Sequence, residues 1–360
     1  MTIYGELRVW LEEFPLGEPQ AFAHDYLGLR YHGEVIRANS WDPVWGEPLT
    51  GELYFRIVLL LRRQGAPTAR RSEVQDARIA VCTPGAVISR QRGRQTGELT
   101  TIRETQALYL TERGAETELI RTTLRRRQEG LEQQLMSEES LRYSSGSVVS
   151  GPERVAYPGN PFVGMDPIGW FGSIAEWLLL EAYPSRPIQS FGLPRPLTPE
   201  DAAPLFAALF QQQGAAPERF REILSELGPG LELSQSPELA QSGDNPVAEL
   251  IVGYLETSPV PAPWKPLHHY LAHQVGLTGP LATLHLLLFL HRERPELEVR
   301  LAPNYQPALL DGETFFGSRI TSELMPLLAW DPQLAEGATT IGPITDPNWN
   351  DTLTYISLIN

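Results

Sequence analysis

The sequence predicts an α+β chain with three parts: a small N-terminal α/β or mostly β unit, a long Arg-rich helical segment, and a mainly helical C-terminal domain with a winged-helix-like end. Three observations predict it. Short runs of β-branched and aromatic residues between Gly/Pro turns fill the first 95 residues. Apolar residues then recur at helical spacing from about Leu99. After residue 165 a proline-containing helix start recurs three times. A chain of 360 residues has room for two domains, each with its own core. The expected layout is a unit at 1–95, a helical connector at 96–140, a linker at 141–165 and a helical domain at 166–360.

Leu53–Leu61 is the clearest strand, rich in aromatic and β-branched residues, and Ala77–Cys82 is a second that stops at Thr83-Pro84-Gly85. From Leu99 to Leu135, Leu119, Ile120, Leu124, Leu131 and Leu135 form one narrow apolar stripe. Gly114 and Gly130 each weaken a helix there by about 1 kcal/mol relative to alanine, which leaves one helix or two with a break both open. Ser144–Ser147, Gly151-Pro152 and Pro158–Pro161 form the most linker-like stretch and mark the expected domain boundary.

Asp166-Pro167, Thr198-Pro199-Glu200-Asp201 and Asn245-Pro246 follow as helix starts. In each, a short polar side chain can cap free N–H groups while proline occupies the first turn. Further on, Pro263–Val275 reads as a helix ended by Gly276, Pro280–Arg292 as a second, and Leu297, Val299 and Leu301 as a strand. Helix, turn, helix and strand is the order of a winged helix-turn-helix, here at about 263–303. The second helix has only Thr283 and His285 as polar side chains between Leu281 and Leu290, so it is expected to be buried rather than laid in a DNA groove.

Composition removes several chemistries. Cys82 is the only cysteine, which excludes intramolecular disulfides and two-thiolate zinc sites. Lys265 is the only lysine, between two prolines, so no phosphate-binding Gly-Lys-Ser/Thr loop can form. A formal charge of -15 disfavours a chain built to coat nucleic acid or an acidic membrane. No apolar run spans a bilayer and the N-terminus has no signal-peptide pattern, so the expected place is the cytoplasm with no membrane partner.

No catalytic constellation emerges, and the reading leans away from an enzyme. Ser147 is one residue out of register with a nucleophile elbow, and Gly228-Pro229-Gly230 lacks a third glycine. His269 and His273 are four apart, but the metalloprotease glutamate is missing; neither a metal nor a cofactor is expected. His285 reads as a core histidine. The remaining candidates are arginines. Residues 62–127 hold 14 Arg against 7 Asp plus Glu, and Arg90, Arg92, Arg94, Arg125, Arg126 and Arg127 are the residues placed to meet phosphates or an acidic surface.

Leu267–Leu271, Gly276–Leu284, Arg294–Val299 and the Leu110–Ile120 segment together resemble a segment of large bacterial phage-defence ATPases of the BREX-like type. The resemblance covers about a fifth of the chain and carries no catalytic motif. It implies a helical, non-catalytic part of a larger defence assembly whose ATPase is a separate chain. Three functions follow in order of expectation: an interaction or scaffolding module, a nucleic-acid-binding protein using the arginines, and an enzyme without a recognisable motif.

Overall fold

The computed structural model describes residues 16–61, 73–85, 90–109, 114–144, 146–153, 155–158, 167–184, 193–211, 218–231, 233 and 245–344. Its fold is mixed α+β, in two units: Met1–His24 with His32–Glu181, and Asp25–Tyr31 with Ala182–Asn360.

The first unit is built on a six-stranded sheet: β1 (Pro19–Tyr26), β2 (Leu29–Ala38), β3 (Phe55–Leu60), β4 (Ile79–Thr83), β5 (Ser147–Ser150) and β6 (Val155–Ala156), paired in that order. β2, β3 and β4 are parallel, and β5 and β6 continue antiparallel. Strands covered on both faces need no apolar/polar alternation, hence the unbroken Ile57-Val58-Leu59-Leu60 run, all buried. On one face Ile36, Val58, Leu60, Ile79 and Val81 pack under Leu49, Val74 and the half-buried Trp41 and Trp45. On the other, Phe22 meets Phe55 edge-on at 6.0 Å and Phe171 at 6.1 Å. Phe171 belongs to the helix Pro167–Ala182, which closes that face.

Two ion pairs pin the β2–β3 crossover. Arg56 lies opposite Glu34 in register, bonds to its carboxylate and donates to the Trp45 carbonyl at 2.7 Å. Arg78 holds Asp76 at 2.7 Å and donates to the Leu49 carbonyl at 3.2 Å, while the Leu49 N–H donates to Asp76 at 3.0 Å. Burial raises the Asp76 pKa, but the Arg78 hydrogen bonds and charge outweigh it and hold the carboxyl below its ordinary value. Cys82 is buried in β4, which pushes its thiol far up and leaves it unreactive.

The second unit combines helices with a four-stranded sheet. α4 (Ala202–Phe210), α5 (Glu218–Leu227) and α6 (Pro246–Thr257) precede α7 (Trp264–His269), which runs into a π-helical turn at Tyr270–Gln274. α8 (Gly279–Leu288) likewise continues as a π-helical turn at Phe289–Glu293, and α9 is Leu334–Gly337. β7 (Ala262–Pro263), β8 (Leu297–Leu301), β9 (Arg319–Thr321) and β10 (Ala338–Pro343) pair antiparallel in the order β7-β10-β8-β9. Helix starts follow the predicted chemistry: Asn245 accepts from the Val247 and Ala248 N–H groups at 3.1 Å. Thr198 and Asp201 form a capping box, with Arg195 bidentate on Asp201 at 2.7 and 2.6 Å. Asp166 lies outside the described residues.

Gly276 ends the helix that begins at Trp264, at φ +89, a conformation side chains resist. A Cβ there would come within 2.6 Å of the Tyr183 ring, while the Gly276 carbonyl accepts from Tyr31 Oη at 2.6 Å. The next helix, α8, is the best-buried element: every residue from Leu281 to Leu290 is buried, against α4, α6 and α7. His285, 2% exposed, donates from Nε2 to the Leu231 carbonyl at 3.0 Å. Burial pushes its pKa down to about 4, so the folded chain keeps it neutral. The unfolded chain takes up that proton near pH 6.5. Stability is therefore complete above that pH and falls as pH drops from about 6.5 towards 4, by on the order of 3 kcal/mol. Urea midpoints of the natural chain and His285→Asn should converge over this window; an unchanged gap between them rules the account out.

Two expectations are corrected. Residues 141–165 do not separate the units: the helix before them runs to Ser144, and Ser147–Ser150 is a strand paired with β4. Gly/Ser/Pro clusters mark the turns around a short strand as readily as a linker. The C-terminal domain also carries more sheet than predicted, because β7, β9 and the two-residue pairings of β10 with β7 are too short for a period to register.

Candidate functional site

The expected arginines lie on a two-helix arm between β4 and β5. These are α1 (Arg90–Leu108) and α2 (Ala115–Ser144); of the expected stripe, Leu124, Leu131 and Leu135 on α2 meet Leu99 and Ile102 on α1, while Leu119 is exposed. Thr83 and Ser147 pair across β4 and β5, which closes the base of the arm. A Cβ on Gly146 would lie 2.0 Å from the Thr83 carbonyl oxygen, so only glycine fits the return. At 1.5 Å per residue the helices are about 28 and 45 Å long.

Gln95, Leu99, Ile102 and Gln106 repeat at spacings of four, three and four, as do Leu124, Gln128, Leu131 and Leu135. This is the seam of an antiparallel coiled coil. Leu99, Ile102 and Leu131 are buried, with Leu124 and Leu135 half-buried against them. Polar side chains fill the other seam positions. Gln95 donates to Gln134 at 3.1 Å, Gln128 to Glu132 at 2.7 Å, and Arg103 to the same carboxylate at 3.2 Å.

Outside the seam the described surface is mostly polar, with Leu108 and Leu119 as exposed apolar side chains. Thr100, Thr101, Thr105, Thr122 and Thr123 each return a hydroxyl bond to the carbonyl four residues back, which satisfies them within their own helix. Glu116 and Glu118 favour the α2 N-terminus, and Arg121 donates to the Tyr109 carbonyl just past the α1 C-terminus, at 3.0 Å from Nε.

Of the six arginines, the structure describes the side chains of Arg94, Arg125, Arg126 and Arg127. The side chains of Arg90 and Arg92 lie outside the described residues. Arg94, Arg125, Arg126 and Arg127 are exposed. Successive residues of a helix turn by about 100°, so Arg125, Arg126 and Arg127 point in three directions. Arg127 is engaged, with its Nε 2.7 Å from the Glu98 carboxylate, and that hydrogen bond raises its pKa further. Arg94 lies one turn before Glu98 on α1, so it shares a helix face with the carboxylate that holds Arg127. Residues 94–135 carry seven Arg and seven Glu, so the basic excess seen in the sequence lies in residues 62–92, mostly before the arm. Sequence reading missed Glu98, Gln95, Gln128 and Glu132; the heptad spacing of 95, 99, 102 and 106 was the available signal.

Elsewhere, Lys265 pairs with Glu336, and His268 Nε2 is 3.1 Å from both the Gly279 carbonyl and Thr283 Oγ1. Burial lowers the His268 pKa. Among the described residues no group of three or more His, Cys, Asp or Glu is placed to hold a metal, and no helix is long and apolar enough to cross a membrane. No protein-family model, curated protein or solved structure matches this chain.

Proposed function

We propose that this chain is a non-catalytic interaction or scaffolding module whose contact element is the α1–α2 arm. The observation that supports this best is the coiled-coil seam itself. It uses a long insertion between two adjacent strands to display Thr, Arg and Glu side chains on a helical surface, with three buried apolar residues to hold it. A chain needing only to join β4 to β5 would use a two-residue turn. On the resemblance drawn from the sequence, the assembly is a bacterial anti-phage complex in the cytoplasm, with its ATPase on a separate chain. The 263–303 segment is read as winged-helix-like in element order. Since α8 is buried, this reading gives that segment a packing role and no DNA contact.

The test replaces Pro84–Gly146 by Asn-Gly, the turn that suits the Thr83–Ser147 register. The full chain should co-purify with a stoichiometric partner from its native cell, and the armless chain, checked for folding by thermal melting, should lose it. A full chain that stays monomeric without a partner, or an armless chain that keeps it, defeats the proposal.

The exposed Arg94, Arg125 and Arg126 favour nucleic acid as the second reading. That reading requires affinity to fall with salt at a logarithmic slope of about -0.9 per phosphate contacted on B-DNA. Absence of binding at low salt removes it.

A further inference from the structure

The geometry points to a binding site for a small apolar amine, a ring-sized hydrocarbon body bearing one ammonium group, in a pocket of the second unit beside the end of α6. The site is additional to the arm and rests on none of its contacts. α6 ends at Thr257, and the chain returns through Ser258–Pro261 to enter the sheet at β7. Gly342 on β10 lets that turn lie close, since a Cβ there would come within 2.7 Å of the Pro261 Cβ. Val252 and Leu255 of α6, Leu297 of β8 and Ile341 of β10 line the pocket, with Val260, 75% exposed, at its lip.

The lining sets the size and character of the ligand's body. Apart from Glu256 and Arg294 every lining side chain is apolar, so the interior offers a hydrocarbon group the transfer out of water and no hydrogen bond. An apolar cavity of about 150 Å³ takes a benzene ring. This pocket, of about 200 Å³, has room for a ring with a two-carbon arm.

The charges at the pocket set the head group. Arg294 holds Glu296 through Nε, so its charge is already offset. Glu256 is exposed in the last turn of α6 and has no ion pair or side-chain hydrogen bond among the described residues. A helix C-terminus favours cations, yet this last turn carries an acid and no basic residue. An ammonium group seated there would balance both the carboxylate and the helix dipole. A carboxylate ligand would instead meet Glu256, Glu296 and the negative end of α6.

The test titrates the full chain with phenethylamine and with hydrocinnamate, which share a ring and a two-carbon arm but carry opposite charges, and follows binding by calorimetry. Phenethylamine should bind saturably at one equivalent and at least about threefold more tightly than hydrocinnamate, the scale of one exposed ion pair. Glu256→Arg should reverse that order, and Val252→Trp, which fills the pocket, should abolish binding of both. Since Val252 is half-buried, the exposed Glu256→Arg variant decides the matter if Val252→Trp fails to fold. No saturable binding of phenethylamine, hydrocinnamate binding as tightly, or a folded Glu256→Arg that keeps the original preference overturns the site.

Discussion

Glu298→Ala is expected to lower the stability of the second unit by about 3–5 kcal/mol, the usual cost of removing one partner from a buried ion pair. Glu298 is 1% exposed on β8, with one carboxylate oxygen 2.9 Å from Arg319 on β9 and the other 3.1 Å from Arg300. Arg300 and Arg319 are register partners across β8 and β9, so the carboxylate separates two guanidinium groups that would otherwise repel. Its removal leaves the Arg319 charge, 8% exposed, in the interior without that carboxylate. Urea unfolding measures the loss. A paired Glu298→Met, Arg319→Leu chain should recover most of it, because replacing both charges removes the desolvation penalty as well as the attraction. A single-variant loss below about 1 kcal/mol would show that the pair does not hold the sheet.

Leu287→Ala should cost about 2–5 kcal/mol through lost transfer energy and the cavity left behind. Leu287 is 1% exposed near the C-terminal end of α8, where the helix runs on into its π-helical turn, and the neighbours α4, α6 and α7 cannot all collapse into the gap. The denaturation midpoint should fall while its slope stays constant, since the surface exposed on unfolding hardly changes. A shift under about 1 kcal/mol would mean that the helix is not the centre of its core. Neither variant touches the arm, so partner capture at low temperature should persist wherever the chain remains folded, which separates loss of stability from loss of the contact surface.

Much of the local structure was legible in the sequence. The β3 and β4 runs, the caps at Thr198 and Asn245, the stop at Gly276 and the burial of Leu281–Leu290 all follow from short-range rules: side-chain shape, hydrogen bonds within a turn, and an apolar run with no polar stripe. His285 was likewise readable as a core histidine, because no orientation of so apolar a helix leaves it in water. The arginines were legible as residues but not as a site, since a charge count takes no account of direction around a helix or of a partner such as Glu98, 29 positions away.

By itself the sequence determined the β3 and β4 strands, the helix starts at Thr198 and Asn245, the burial of Leu281–Leu290, and which chemistries a chain with one cysteine and one lysine cannot perform. Only the tertiary structure decided that α1 and α2 fold back as an arm between neighbouring strands and that the apparent linker supplies β5. The physical reason is range. Caps, turns and apolar periods act over a few residues and are written locally. Strand pairing, coiled-coil register and ion-pair choice depend on groups far apart in the chain, whose meeting is fixed by the whole set of surfaces that must be buried together.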